Sequence, residues 1–219
     1  VKNYRAIEPA YGTLANFDRL LAEAHKRGIG VIVDYVMNHS AADHPAFEDA
    51  YDSRRSRFLD WYIWSDDKPR GWNTFAGDPW REGNQRWYYA VFDPQMPDFN
   101  FRHPAVLNYH LDSLRFWLNR GLDGYRLDAV RHLIENNARD WNDQPQSRAL
   151  TRQIQALVKG YARRYTVCEA TAEPLAYAGA DLCGAAFAFG LENQLVKAAR
   201  GEAEAIAKLA AYPAKAPPT

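Results

Sequence analysis

The sequence predicts an α/β fold: a parallel sheet with helical crossovers, interrupted by one long aromatic-rich insertion. Three observations predict it. Apolar residues recur at helical spacing in segments that alternate with short β-branched runs, the pattern of parallel strands joined by helices. Acidic residues close several of those runs. One interval, about residues 40–102, lacks the alternation and holds five of the seven tryptophans.

Thr13 is a suitable N-cap for a first helix, in which Phe17, Leu20, Leu21 and Ala24 share a face before Gly28 stops it. The run from Ile29 to Val36 suits a strand covered on both faces. A second helix starts near Pro104, carries Val106, Leu107, Leu111, Leu114 and Leu118, and ends at Gly121. A short strand follows from Gly124 to Asp128, then a helix from Ser147 to Arg163 and a strand from Tyr165 to Glu169. A fourth strand is expected over Ala185 to Leu191, and a last helix from about Asn193 to Ala211. In the insertion, Trp61, Trp64, Trp72, Trp80 and Trp87 stand among Tyr62, Tyr88 and Tyr89. Most of these rings are expected to pack a small subdomain, and some to offer flat platforms to sugar rings.

Composition excludes several functions. The chain has 219 residues, 47% of them hydrophobic, enough for one domain with a large insertion. Its 27 basic residues balance 27 acidic ones, so no basic field exists to gather nucleic acid or an anionic membrane. No apolar run spans a bilayer and no signal-peptide pattern opens the chain. Cys168 and Cys183 are too few for a disulfide framework or a cysteine zinc site, and each is expected to be a small buried apolar residue. Val1 and the proline-rich tail from Pro213 to Thr219 suit either natural ends or cuts in something longer.

Asp34, Asp128 and Glu169 each close a parallel strand, where (β/α) enzymes carry their chemistry. A carboxylate there is a poor structural choice unless its charge is used or paired. Arg126 lies two residues before Asp128, on the same strand face, where it can hold Asp128 ionised. Paired carboxylates of this kind suit retaining glycoside hydrolysis, in which one attacks the sugar and the other protonates the leaving oxygen from about 5–5.5 Å away. Asp128, beside the arginine, suits the nucleophile. Glu169, following Val167 and Cys168, suits the acid/base because apolar surroundings raise a carboxyl pKa.

Four ordered stretches resemble the α-amylase superfamily, glycoside hydrolase family 13. They are Asp34-Tyr35-Val36-Met37-Asn38-His39, Met96-Pro97-Asp98-Phe99-Asn100, Gly124 to His132, and the strand ending in Glu169. Ile7 to Thr13 and Asp60 to Asp66 are similar to flanking parts of the same family. The resemblance implies a partial (β/α)8 TIM barrel, equivalent to strands three to six, over residues 1–39 and 103–219, with domain B over 40–102. It implies Asp128 as nucleophile, Glu169 as acid/base and Arg126 as support. His39, Arg131, His132 and Asp34 fall at positions around the substrate, Asp34 with a mainly structural part. Asn38, Asp98 and the carbonyl of His132 fall at ligands of a calcium ion that many members carry; the alternative is a hydrogen-bond network without metal. No other cofactor is implied.

The chain departs from the family: only the equivalents of strands three to six can be placed, no counterpart of the family's C-terminal β-domain is found, and no Asn-His-Asp, the motif bearing the third catalytic carboxylate, follows Glu169 in this sequence. An open four-stranded segment would leave sheet edges and one face uncovered. A homo-oligomer or another complementing partner is therefore expected to close the barrel. The leading functional expectation is a retaining glycosidase acting on α-1,4-glucan or malto-oligosaccharides. The alternatives are a non-catalytic carbohydrate-binding or assembly fragment, a transglycosylase or isomerase, and, remotely, a metal hydrolase using His39, Asp34 and His132. The compartment, secreted or cytoplasmic, is left open.

Overall fold

The computed structural model describes residues 1–215. A parallel sheet of three strands carries the centre of the molecule: β1 (Ile32–Val36), β5 (Gly124–Asp128) and β6 (Tyr165–Cys168), in the order β1-β5-β6. Asp34 pairs with Arg126 across the first interface, and Arg126 with Val167 across the second. Gly124 is required where it stands. Its φ is +154°, and a Cβ there would meet the backbone oxygen of Tyr165 at 1.7 Å, so only a residue without a side chain lets β6 approach.

The crossover helices begin and end where local chemistry directs. Helix α1 (Leu14–His25) is capped by Thr13, which accepts from Asn16 N–H while its own N–H donates to Asn16 Oδ1. Helix α3 (Pro104–Asn119) has proline at its first position, with His103 accepting from Ala105 N–H. Helix α4 (Pro145–Lys159) also starts at proline, and α5 (Pro174–Tyr177) is a single turn. Val106, Leu114, Leu118 and Ile154 bury their side chains against Tyr125 and Leu127 of β5. Because strand side chains alternate, that packing leaves Arg126 and Asp128 on the opposite face.

The interval 40–102 forms helix α2 (Pro45–Asp52) and a second sheet, antiparallel, of β2 (Trp64–Ser65), β3 (Trp80–Glu82) and β4 (Trp87–Tyr89) in the order β2-β4-β3. The helix is short enough for its period to be hidden by the aromatics around it. Most of the rings pack: Phe47 stacks on Trp64 at 5.6 Å, and Tyr62 on Phe99 at 5.1 Å.

Four sequence expectations need correction. Residues 185–191 form no strand: Ala186 makes one isolated parallel bridge to Cys168, between left-handed turns at Gly184 and Gly190. The sheet therefore has three strands, not four. The final helix is two, α6 (Glu192–Ala199) and α7 (Ala203–Ala211), broken at Gly201. Strand β1 is covered on one face only, with Ile32 41% exposed and Asp34 open to solvent. Cys168 and Cys183 are buried as expected but are bonded to each other as a disulfide. The tail beyond residue 215 lies outside the described residues. No described helix is long and apolar enough to cross a membrane.

Candidate active site

The register of the parallel sheet dictates where the site lies. Asp34, Arg126 and Val167 are neighbours across three strands, so their side chains share a face. Asp128 and Glu169 stand two residues beyond Arg126 and Val167, at the strand ends of that same face. Four charged groups thus meet on one side of one sheet.

Arg126 is the hub. Its Nη1 donates to Asp34 Oδ1 at 2.7 Å and Oδ2 at 2.9 Å, and also to Asp128 Oδ1. Its Nη2 lies 2.8 Å from Glu169 Oε2. Burial opposes the charge on Arg126, yet these carboxylates outweigh it and raise the guanidinium pKa. Glu169 is pushed above the usual carboxylate range. Burial is the main cause and a hydrogen bond with Asp128 the next, with Arg126 pulling the other way. The two carboxyl groups thus share one guanidinium, Asp128 on Nη1 and Glu169 on Nη2. That guanidinium draws both inward and offsets part of their repulsion.

The backbone contributes as well. Ala129, directly after Asp128, has φ +50°, a left-handed conformation that non-glycine residues rarely adopt. The resulting turn aims the Ala129 N–H at Glu169 Oε2, 3.4 Å away.

Beside Glu169 opens a cavity of about 430 Å³, lined by Phe75, Phe92 and Trp141 together with Arg131, His132, Asn142 and Thr171. That volume lies within the range of small-molecule pockets, about 300–1,000 Å³. His132 stacks on Trp141 at 5.7 Å, and Phe75 reaches His132 at 5.6 Å. Arg131 donates to Thr171 Oγ1 at 3.0 Å. His39 packs its ring on Phe92 at 5.1 Å, with Nδ1 free of a protein partner. Burial depresses both His39 and His132 to about 4, so both rings are neutral at pH 7. Asp34, Arg126, Asp128 and Glu169 therefore form one cluster, Arg131 and His132 line the cavity with Glu169, and His39 adjoins it through Phe92.

The residues missed from sequence are Phe75, Phe92, Trp141, Asn142 and Thr171. Trp141 carried a usable signal: a tryptophan in the loop after the strand that ends in Asp128. Phe75 carried none, since an insertion full of packing aromatics hides the one that is 61% exposed.

Asn38 and Asp98 lie beneath the site, at the junction with the insertion. Asn38 Nδ2 donates to Asp98 Oδ2 at 2.8 Å, and Val91 N–H to Asp98 Oδ1 at 3.2 Å. Both carboxylate oxygens thus face N–H donors. Burial raises the Asp98 pKa, the Asn38 hydrogen bond opposes the rise, and Glu135 adds to it. Calcium takes about six to eight oxygens; of the expected ligands, Asn38 and Asp98 are brought together here as a hydrogen-bonded pair.

Comparison with known proteins places the chain. The alpha-amylase catalytic-domain profile matches residues 1–216. The chain belongs to the alpha-amylase family. Within it, the chain is 34% identical over 222 aligned positions to the trehalose synthase/amylase TreS of Mycolicibacterium smegmatis, covering 92% of this chain and 37% of that protein. It is 36% identical to alpha-amylase 3 of Dictyoglomus thermophilum over 64% of this chain and 27% of that enzyme. Among solved structures, the alpha-glucosyl transfer enzyme XgtA superposes with a TM-score of 0.79 at 27% identity, covering 87% of this chain and 43% of XgtA. Trehalose-6-phosphate hydrolase of Bacillus licheniformis superposes with a TM-score of 0.75 at 28% identity, over 84% of this chain and 37% of the enzyme. The fold is therefore part of the family's barrel. The chain spans 27% to 37% of the length of these two curated relatives.

Proposed function

We propose that this chain carries the nucleophile and acid/base of a retaining α-glucosidic enzyme acting on short α-linked glucose oligomers. Asp128, oriented by Arg126, attacks the anomeric carbon and forms a glucosyl ester. Glu169 gives its proton to the leaving oxygen, then takes one from water as the ester is hydrolysed. The observation that carries the reading is the shared guanidinium: Arg126 grips Asp128 through Nη1 and Glu169 through Nη2, while burial and the neighbouring Asp128 push the Glu169 pKa up. Arg131 and His132, beside Glu169 rather than Asp128, face the departing sugar, and His39 lies near the cleaved bond.

The test separates the two roles by leaving group. Asp128→Asn abolishes turnover of maltose and of an aryl α-glucoside alike. Glu169→Gln steeply lowers turnover of maltose but retains formation of the glucosyl ester from the aryl glucoside, whose leaving group needs no proton. Equal behaviour of wild type and both variants refutes the reading.

A second reading rests on the aromatic cavity. It touches Glu169 and not Asp128, so it lies on the side where a departing or accepting sugar sits. Phe75, Phe92 and Trp141 can hold such a ring against water, which favours transfer to sugar over hydrolysis. Product analysis from maltose distinguishes glucose from rearranged or longer sugars.

A completing partner belongs to the same proposal. The outer edge of β1 and its exposed Ile32 need further strands, from a second copy or from more of the same polypeptide. Size-exclusion chromatography with light scattering tests this; a compact and stable monomer of the 219 residues refutes it.

A further inference from the structure

We infer that the Cys168–Cys183 disulfide is a positioning device for Glu169, stapling an otherwise loosely held segment over the edge of the strand that presents it. The inference rests on the acid/base reading of Glu169 for its importance, but not for its test.

Glu169 directly follows Cys168 at the end of β6. On one side its backbone is fixed by the sheet, Glu169 N–H donating to Leu127 O at 2.9 Å. On the other side β6 has no partner strand. Its edge is covered by residues 183–187, which contribute a single bridge between Ala186 and Cys168. The covering rests on few contacts: Cys168 N–H to Ala185 O at 2.9 Å, Phe187 N–H to Cys168 O at 3.2 Å, and Thr166 Oγ1 to the carbonyl of Cys183. Left-handed glycines fall within the segment at 184 and just beyond it at 190, and Phe187 is 43% exposed. Such short, irregular coverings open at low cost. The disulfide ties the segment to the residue before Glu169, and both cysteines are fully buried beneath it.

Opening the staple needs a named reductant. A dithiol reduces the S–S bond by thiolate attack and exchange, delivering two electrons and two protons to leave Cys168 and Cys183 as thiols while it becomes a disulfide itself. Closing runs in reverse, with a small disulfide as the oxidant reduced to two thiols. With the bond open, residues 183–187 separate more readily, the edge of β6 meets water, and Glu169 loses part of the burial that raises its pKa. Arg126 and Asp128, the charged groups facing Glu169, are the same in both forms.

The test uses the full chain purified in air and then treated with dithiothreitol. Intact-mass analysis is expected to show a gain of two hydrogens on reduction. Hydrogen exchange is expected to quicken about tenfold or more at residues 166–169 and 183–187, with little change in α1 or α3. The carboxyl resonance of Glu169, assigned with Glu169→Gln, is expected to titrate at lower pH after reduction. Cys168→Ala/Cys183→Ala should reproduce the reduced form, and re-oxidation by oxidised glutathione should restore the original only in the wild type. Two free thiols after oxidation, or exchange and Glu169 titration that reduction leaves unchanged, would overturn the inference. Should reduction unfold the chain, Cys168→Val/Cys183→Ala refills the core without the bond. In that variant an unchanged Glu169 titration overturns the inference and a lowered one supports it. None of these readouts needs turnover.

Discussion

Two clusters of carboxylates in this molecule obey the same electrostatics and reach opposite ends. At the mouth of the parallel sheet, Asp34, Asp128 and Glu169 surround Arg126 and open toward a cavity. At the junction with the insertion, Asp98 and Glu135 are almost wholly buried, with Asn38 and Val91 serving one and Arg102 the other. The first cluster leaves Asp128 and Glu169 partly exposed beside a cavity. The second holds both of its carboxyl groups up by burial, Glu135 to about 7, and presents neither to solvent. A carboxylate's use is thus decided by what lies beyond it rather than by its pKa alone.

The comparison breaks first at the open cluster. Asp128→Asn should lower kcat/KM at least about a thousandfold, and Glu169→Gln on the order of 10²–10⁴-fold on maltose; steady-state kinetics on both substrates measure this. Losses of comparable size from Glu135→Gln would erase the distinction between the clusters.

Acid stability gives the next effect. Burial depresses His39, His44 and His132 to about 4 and His110 to about 3. Their folded pKa values lie below the unfolded value of about 6.5, so the stability they contribute is complete above that pH and is lost as pH falls toward 4. Glu135 runs the other way: raised to about 7, its contribution is complete below about 4.5 and is lost as pH rises through 7. Asp98 and Glu169, also raised, oppose the histidines in the same sense as Glu135, and denaturant titrations should show a net loss of stability as pH falls from 6 to 5, the four histidines outweighing the three carboxyls. Glu135→Gln should remove its share of the opposing slope, making the acid loss steeper and the neutral side flatter, by up to about 3 kcal/mol across the window.

The smallest expected effect sharpens the reading of the buried cluster. With Asn38 and Asp98 satisfied by hydrogen bonds, a chelator should leave the melting temperature unchanged. A fall on adding EDTA that calcium reverses would mean that the junction is held by a metal.

The two regions also differ in how much of them could be read in advance. Thr13, Pro104 and Gly121 act through local backbone chemistry, so the helices they bound were legible. So was the shared face of Arg126 and Asp128, which follows from strand alternation. Residues 185–191 misled because an apolar run becomes a strand only where a neighbouring edge accepts a full ladder. The cysteine pair was invisible because a separation of 15 residues says nothing about whether two chain segments are folded against each other. Phe75 and Trp141 meet at 5.9 Å from different loops, a juxtaposition made by tertiary packing alone.

Gly124 carries a last consequence. It lies four residues below Asp128, at the level where Tyr165 lies below Glu169. A methyl group there would wedge the two strands at their base, and the ends would spread like the tips of a pair of tongs. The spacing of Asp128 and Glu169 is thereby set at the far end of the strands, by an atom that is not there.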